Sequence, residues 1–175
     1  RKTVLKKDEF VKEVVFEKRL ITLAELRQLM GAWQQPAFRA NQVYTWIYKS
    51  LVDDLNDMRN LPRPLLDLLA ERASLVRLDV VRSLVTEDRL SEKALFRTED
   101  GQLFETVLMR YPTRNSVCLS SQVGCALGCA LCATGKSGYI RDLSAGELVA
   151  QLLHFERLLH KQGMRITNVV LMGMG

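Results

Sequence analysis

Residues 116–138 read SVCLSSQVGCALGCALCATGKSG, and this stretch organises everything around it. Cys125, Cys129 and Cys132 follow one another in a C-x3-C-x2-C spacing, and Cys118, the fourth cysteine of the chain, stands seven positions ahead of the first. Small residues (Gly124, Ala126, Gly128, Ala130) lie between and beside the thiols, so the loop can fold tightly and bring three sulfurs to one point. Thiolates gathered in this way are soft ligands, suited to an iron–sulfur cluster or to zinc.

The spacing separates the metals better than the residue type does. A closed zinc site needs four ligands, usually two Cys or Cys/His pairs set well apart. No second pair follows here, and the nearest histidines, His154 and His160, fall in a stretch with helical periodicity. A four-iron cluster on three cysteines instead keeps one iron open to a small molecule. A disulfide suits cytosolic thiols least.

The run CLSSQVGCALGCALCATG, with MGMG at Met172–Gly175, resembles the radical S-adenosylmethionine (SAM) RNA methyltransferases that methylate carbon 2 of adenine. FRANQVYTWIY (Phe38–Tyr48) and FETV (Phe104–Val107) resemble the same family, so the likeness runs from about residue 22 to residue 175. It implies an α/β fold: the start of a radical SAM partial (β/α) barrel, preceded by a small helical domain and a β-hairpin. It implies a 4Fe-4S cluster on Cys125, Cys129 and Cys132, with SAM on the open iron and against Gly173 and Gly175. Glu105 corresponds to the family's proton acceptor. Cys118 corresponds to the cysteine that resolves a protein–RNA thioether by forming a disulfide. The expected reaction runs through a 5′-deoxyadenosyl radical and a methyl group carried on a further cysteine. The expected partners are 23S rRNA and tRNA and a flavodoxin-type electron donor, with the protein a cytoplasmic monomer. All four cysteines of this chain have other roles in that scheme, so the chain by itself should not complete methyl transfer. A related group methylates carbon 8 of the same adenine and tends to have cysteine where this chain has Val123, which favours carbon 2.

The chain carries 25 Lys and Arg against 20 Asp and Glu, a net charge of +5 that is compatible with RNA without pointing to it. At 47% hydrophobic and 26% charged it has the composition of an ordinary globular protein. No apolar run approaches the roughly eighteen residues of a membrane span, and the charged N-terminus lacks a signal-peptide core. A start at Arg1 and a stop at Gly175, straight after a glycine-rich turn, suggest a piece of a longer protein.

Segment by segment, residues 1–21 have no clean period, and VVFEKRLITL could form a short strand leading into a helix. Thr22 and Glu25 form a capping-box pattern for a helix that Gly31 would close. Val43, Trp46, Ile47 and Leu51 mark one face of a second helix, and Pro62 and Pro64 open a third. Residues 22–75 thus read as a helical domain. Its Arg27, Arg39, Lys49, Arg59 and Arg63, interleaved with Trp33, Phe38 and Trp46, are either a solvated surface over core aromatics or an RNA-binding accessory face, and the resemblance favours the second.

Residues 76–112 read as strands, with Asp100-Gly101 as a hairpin turn. Glu105 shares a face with Leu103 and Val107, so it sits at a sheet edge or in a cleft. Residues 113–175 hold the cysteine loop, a capping box at Ser144 and Glu147, an amphipathic helix from Ala145 to about Lys161 closed by Gly163, and a strand over Ile166–Met172. The apolar character of that strand predicts burial on both faces. A zinc-stabilised RNA-binding module, with a fourth ligand from Cys118 or His154, is the alternative from another class.

Overall fold

The computed structural model describes residues 4–6, 13–16, 19–73, 75–76 and 78–175. It divides into two compact units, one made of Val11–Val76 and the other of Arg1–Phe10 with Arg77–Gly175.

In the first unit, the stretch expected as one strand is a two-stranded ribbon, β2 (Glu13–Phe16) against β3 (Arg19–Thr22), antiparallel. The side chain of Thr22, and with it the first capping box, lies outside the described residues. Helix α1 (Leu23–Ala32) runs through Gly31 instead of stopping there. Its reversal comes at Gln34, which takes a left-handed φ of 55° while Gln35 N–H donates to the Met30 carbonyl at 2.8 Å. That bond pattern satisfies the last carbonyls and needs a left-handed residue three places further on. Helix α2 (Phe38–Tyr48) buries Ala40, Val43 and Ile47. Helix α3 (Arg63–Arg72) has proline in its first turn and buries Leu65 and Leu69. With Leu26, Met30, Met58 and Leu61 these close the core. Trp33 and Trp46 are half-buried and Phe38 is exposed, so the aromatics are not simply core.

The second unit is a six-stranded sheet in the order β1-β10-β7-β6-β5-β4. The strands are β1 (Val4–Lys6), β4 (Asp79–Val85), β5 (Ser91–Arg97), β6 (Leu103–Tyr111), β7 (Arg114–Leu119) and β10 (Asn168–Leu171). Only β7 and β10 pair in parallel; every other neighbour is antiparallel. The strands expected as a separate hairpin segment therefore share one sheet with the cysteine-loop region. Gly101, at a left-handed φ of 82°, turns β5 into β6 as expected.

Helix α5 (Ala145–His160) covers one face of the sheet. Phe96, Phe104, Leu108, Val117, Leu119 and Val169 on the strands, with Leu152, Phe155 and Leu159 on the helix, are all at most 1% exposed. Burying side chains of this size stabilises by about 1.5–3 kcal/mol each. Strand β10 departs from the expectation of burial on both faces. Of its four residues only Val169 is buried, because α5 covers a single face. Strand β4, at the sheet edge, is exposed throughout and carries a bulge between Val80 and Arg82. No helix among the described residues is long and apolar enough to cross a membrane.

Candidate active site

The strand registers put the two expected catalytic side chains on one surface. Val107 lies directly opposite Cys118, and directly opposed residues point to the same face. Glu105, two positions from Val107, faces the same way. Phe104, Thr106 and Leu108 face α5. Glu105 and Cys118 thus share the open face.

Glu105 pairs with Lys93, Nζ to Oε1 at 2.9 Å, and both side chains are about two-fifths exposed (38% and 42%). An ion pair that wet adds little stability; it orients the carboxylate. Cys118 is half-buried, and burial pushes its thiol up, opposed by a hydrogen bond from the Met172 backbone amide. Cys118 is therefore a thiol that already touches the glycine-rich turn.

That turn hangs from the end of β7. Gly173 N–H donates to the Leu119 carbonyl at 3.1 Å, and Met174 N–H donates to Ser120 Oγ at 2.9 Å. The Met174 carbonyl accepts from the amides of Ser121 (2.8 Å) and Gln122 (3.1 Å). A Cβ on Gly173 would come within 2.8 Å of the Leu119 carbonyl oxygen, so the close approach requires glycine.

From Ser121 the chain enters a small ribbon, β8 (Gln122–Gly124) against β9 (Tyr139–Asp142). The loop it brackets carries the three cysteines. Gly124, at a left-handed φ of 73°, lets the two legs close: a Cβ there would strike the Gly138 carbonyl oxygen. Cys125 N–H donates to that same carbonyl at 3.0 Å. Cys125 is half-buried, and Cys129 and Cys132 are exposed. Cys132 precedes the short helix α4 (Ala133–Lys136), and hydrogen bonds from the Gly135 and Thr134 amides hold its thiol below the usual range.

The donor set fits a thiolate-bound cluster: three soft ligands, two fully accessible, one already shifted toward thiolate. The expectation that the small residues gather the sulfurs at one point is not met. Among the described residues no three Cys, His, Asp or Glu side chains converge as a metal site. The loop's path follows its backbone hydrogen bonds, Cys132 N–H to the Cys129 carbonyl among them, instead of the sulfurs. All four cysteines are free thiols, so no disulfide involves Cys118 among the described residues.

His154 packs edge-on against Phe96 and Phe155, with ring centroids 5.0 Å apart in each case. Phe96 is on the covered side of the sheet, whereas Cys118 is on the open side. The two candidate fourth zinc ligands are thus separated by the sheet itself. His160 is exposed in the last turn of α5.

Two groups of residues escaped the sequence reading. Gln151, fully buried on α5, accepts from Ser120 N–H (3.0 Å) and from the Thr106 hydroxyl (2.6 Å) and donates to the Ser120 carbonyl (3.0 Å). Its signal was a lone amide between Leu148 and Phe155 on an apolar helix face. Arg141 on β9 holds Asp100 in the hairpin turn and Glu147 at the start of α5, each through two hydrogen bonds of 2.8–3.0 Å. Glu147 completes the expected capping box with Ser144. Burial alone would push the Glu147 carboxyl up; Arg141 and Ser144 outweigh it and hold it down.

Comparison with known proteins finds relatives over most of the chain. Residues 20–75 match the family described as the ribosomal RNA large subunit methyltransferase N-terminal domain. A probable dual-specificity RNA methyltransferase RlmN of Chloroflexus aurantiacus is 44% identical over 159 residues, 87% of this chain and 42% of the relative. Its Dictyoglomus thermophilum counterpart is 42% identical, over 86% of this chain and 43% of the relative. The chain thus spans less than half the length of the curated relatives it matches. A crystal structure of a radical SAM methyltransferase from Sphaerobacter thermophilus superimposes with a TM-score of 0.83 at 48% identity, covering 89% of this chain and 46% of that one. By sequence and by fold alike, the chain is similar to the first part of the RlmN-type radical SAM methyltransferases.

Proposed function

We propose that this chain is part of a radical SAM RNA methyltransferase acting on carbon 2 of adenine in 23S rRNA and tRNA. The observation that carries the reading is the convergence at one end of the sheet. Glu105 and Cys118 share the open face, the Gly173–Gly175 turn docks on the end of β7, and the three-cysteine loop leaves from the same end. Ligand loops at the C-terminal ends of parallel strands are where α/β folds bind substrates.

Cys125, Cys129 and Cys132 would hold a 4Fe-4S cluster, which together with SAM would supply the one-electron chemistry. The remaining work falls to the chain. Gly173 and Gly175 let the backbone approach SAM closely. Glu105, steadied by Lys93 through one oxygen, keeps its other oxygen for the proton leaving adenine. Cys118 lies on the same face, where its thiolate would attack the sulfur of the methyl-carrying cysteine, forming a disulfide as the sulfur–carbon bond to the methylated base breaks. The helical unit would present phosphate contacts through Arg39, whose guanidinium also stacks over exposed Phe38 at 4.8 Å. The RlmN names of the relatives, and Val123 in the SSQVGC run, support carbon 2 over carbon 8. A flavodoxin-type reductant and a cytoplasmic, monomeric protein complete the proposal.

The test is anaerobic reconstitution with iron and sulfide, then metal analysis and EPR of the reduced protein with and without SAM. The expected result is about four irons per chain and a spectrum that changes on adding SAM. Stoichiometric zinc, with no colour and no response to SAM, would leave an RNA-binding module. Methyl transfer to RNA by this chain alone would overturn the roles assigned to its four cysteines.

A further inference from the structure

A glutamine buried in a hydrophobic core needs a reason, because an amide without partners there is costly. Gln151 has no exposed surface, and it spends its amide on the backbone of a single residue. Its oxygen accepts from Ser120 N–H at 3.0 Å and its nitrogen donates to the Ser120 carbonyl at 3.0 Å. This is the pairing a neighbouring strand would offer. Ser120 lies one residue beyond the end of β7, so the helix side chain stands in for a strand where the sheet stops.

Ser120, held in this way, makes two further bonds with its hydroxyl. It donates to the Glu105 carbonyl at 2.5 Å and accepts from Met174 N–H at 2.9 Å. One hydroxyl thereby links the strand that carries Glu105 to the turn at Gly173–Gly175. The turn packs directly on it: a Cβ at Gly173 would meet Ser120 Oγ at 2.5 Å. Thr106, next to Glu105, closes the group through its hydroxyl to Gln151 at 2.6 Å.

We infer that Gln151 is a positioning residue, which acts through Ser120 to set the glycine-rich turn against the Glu105 strand. Its assignment to SAM geometry rests on the function proposed above; its control of the turn does not. The chemistry required is one donor and one acceptor on a single planar group. A buried neutral carboxylic acid supplies both, and burial keeps such a group neutral. A methionine of similar shape supplies neither.

The experiment compares Q151E and Q151M by amide hydrogen exchange, then by SAM affinity at matched iron content. In Q151M the Ser120 and Ser121 amides should exchange about tenfold faster or more, with Val117 unchanged. Q151E should stay within about twofold of the parent. SAM should bind about tenfold more weakly to Q151M at unchanged iron per chain. Unchanged exchange at Ser120 and Ser121, or equal acceleration along all of β7, would overturn the inference. So would Q151E behaving like Q151M, since that would make the residue a matter of packing. If the parent binds no SAM while exchange follows the pattern, the proposed function fails and the positioning of the turn stands. Should Q151M not fold, S120A removes only the hydroxyl: faster exchange at Ser121 supports the inference and unchanged exchange overturns it.

Discussion

Replacing Arg141 by methionine should destabilise the sheet unit by about 2 kcal/mol at neutral pH. All five guanidinium N–H groups are engaged: two on Asp100, two on Glu147 and one on the Asp142 carbonyl at 2.9 Å. The Asp100 side chain is half exposed, so that side of the network contributes little. The cost lies with Glu147, whose side chain is 10% exposed and which in R141M keeps only its bonds at Ser144. Leaving such a carboxylate short of its cation costs about 1–3 kcal/mol. In a unit of roughly a hundred residues each kcal/mol moves Tm by about 4–8 °C, so the expected fall is about 8–16 °C.

The sign of the pH dependence follows from Glu147. In the parent its folded-state carboxyl is held below the ordinary value. The stability it contributes is therefore present above about pH 4.3 and lost as pH falls through the depressed value. In R141M burial acts unopposed by the guanidinium, so the charged form is penalised at neutral pH and relieved on acidification. The gap in Tm should be widest near neutrality and shrink toward acid. Thermal unfolding followed by far-UV circular dichroism over that range is the assay. Both tryptophans, Trp33 and Trp46, lie in the other unit, so their fluorescence serves as a control. A fall under about 2 °C, or a gap that widens in acid, would refute the reasoning. R141K should recover only part of the loss, because the three N–H donors of an ammonium cannot replace five hydrogen bonds from a planar guanidinium.

S144A should cost about 1 kcal/mol through loss of the capping box, read as a denaturation midpoint. G124A forces a Cβ into the Gly138 carbonyl, whereas G128A meets open space, though it too has a left-handed φ of 60°. Iron uptake on reconstitution should therefore fall much further in G124A than in G128A. C125A, C129A and C132A should each abolish iron uptake, and C118A should leave it unchanged; loss in C118A as well would favour a four-ligand metal site.

Period-two alternation was enough to place Glu105 away from Phe104 and Thr106. The shared face of Glu105 and Cys118 needed one thing more, the register that sets Val107 opposite Cys118. The Asp100-Gly101 turn joins β5 to β6 and carries no information about how β6 and β7 align. Burial was harder to read. An apolar run such as Asn168–Leu171 looks the same whether one face is covered or two, and here α5 covers only one. The end of α1 was misread for a local reason. Gln34 can adopt the left-handed cap when its neighbours' bonds reward it, so Gly31, the residue with the easiest left-handed turn, was not needed there.

Arg141 and Gln151 were silent because each acquires meaning only from partners far along the chain. Arg141 meets Asp100 across 41 positions, and Gln151 meets Thr106 across 45. No local period encodes either contact. Both nevertheless act on the stretch that the sequence singled out. Gln151 fixes where β7 releases the chain into the cysteine ribbon, and Arg141 fixes where the ribbon returns it to α5. Between these anchors the loop's glycines and backbone bonds set its course, and Cys129 and Cys132 remain exposed. The physical consequence is a division of labour. The two ends of the loop are pinned to the sheet and helix, while Cys129 and Cys132 between them are exposed.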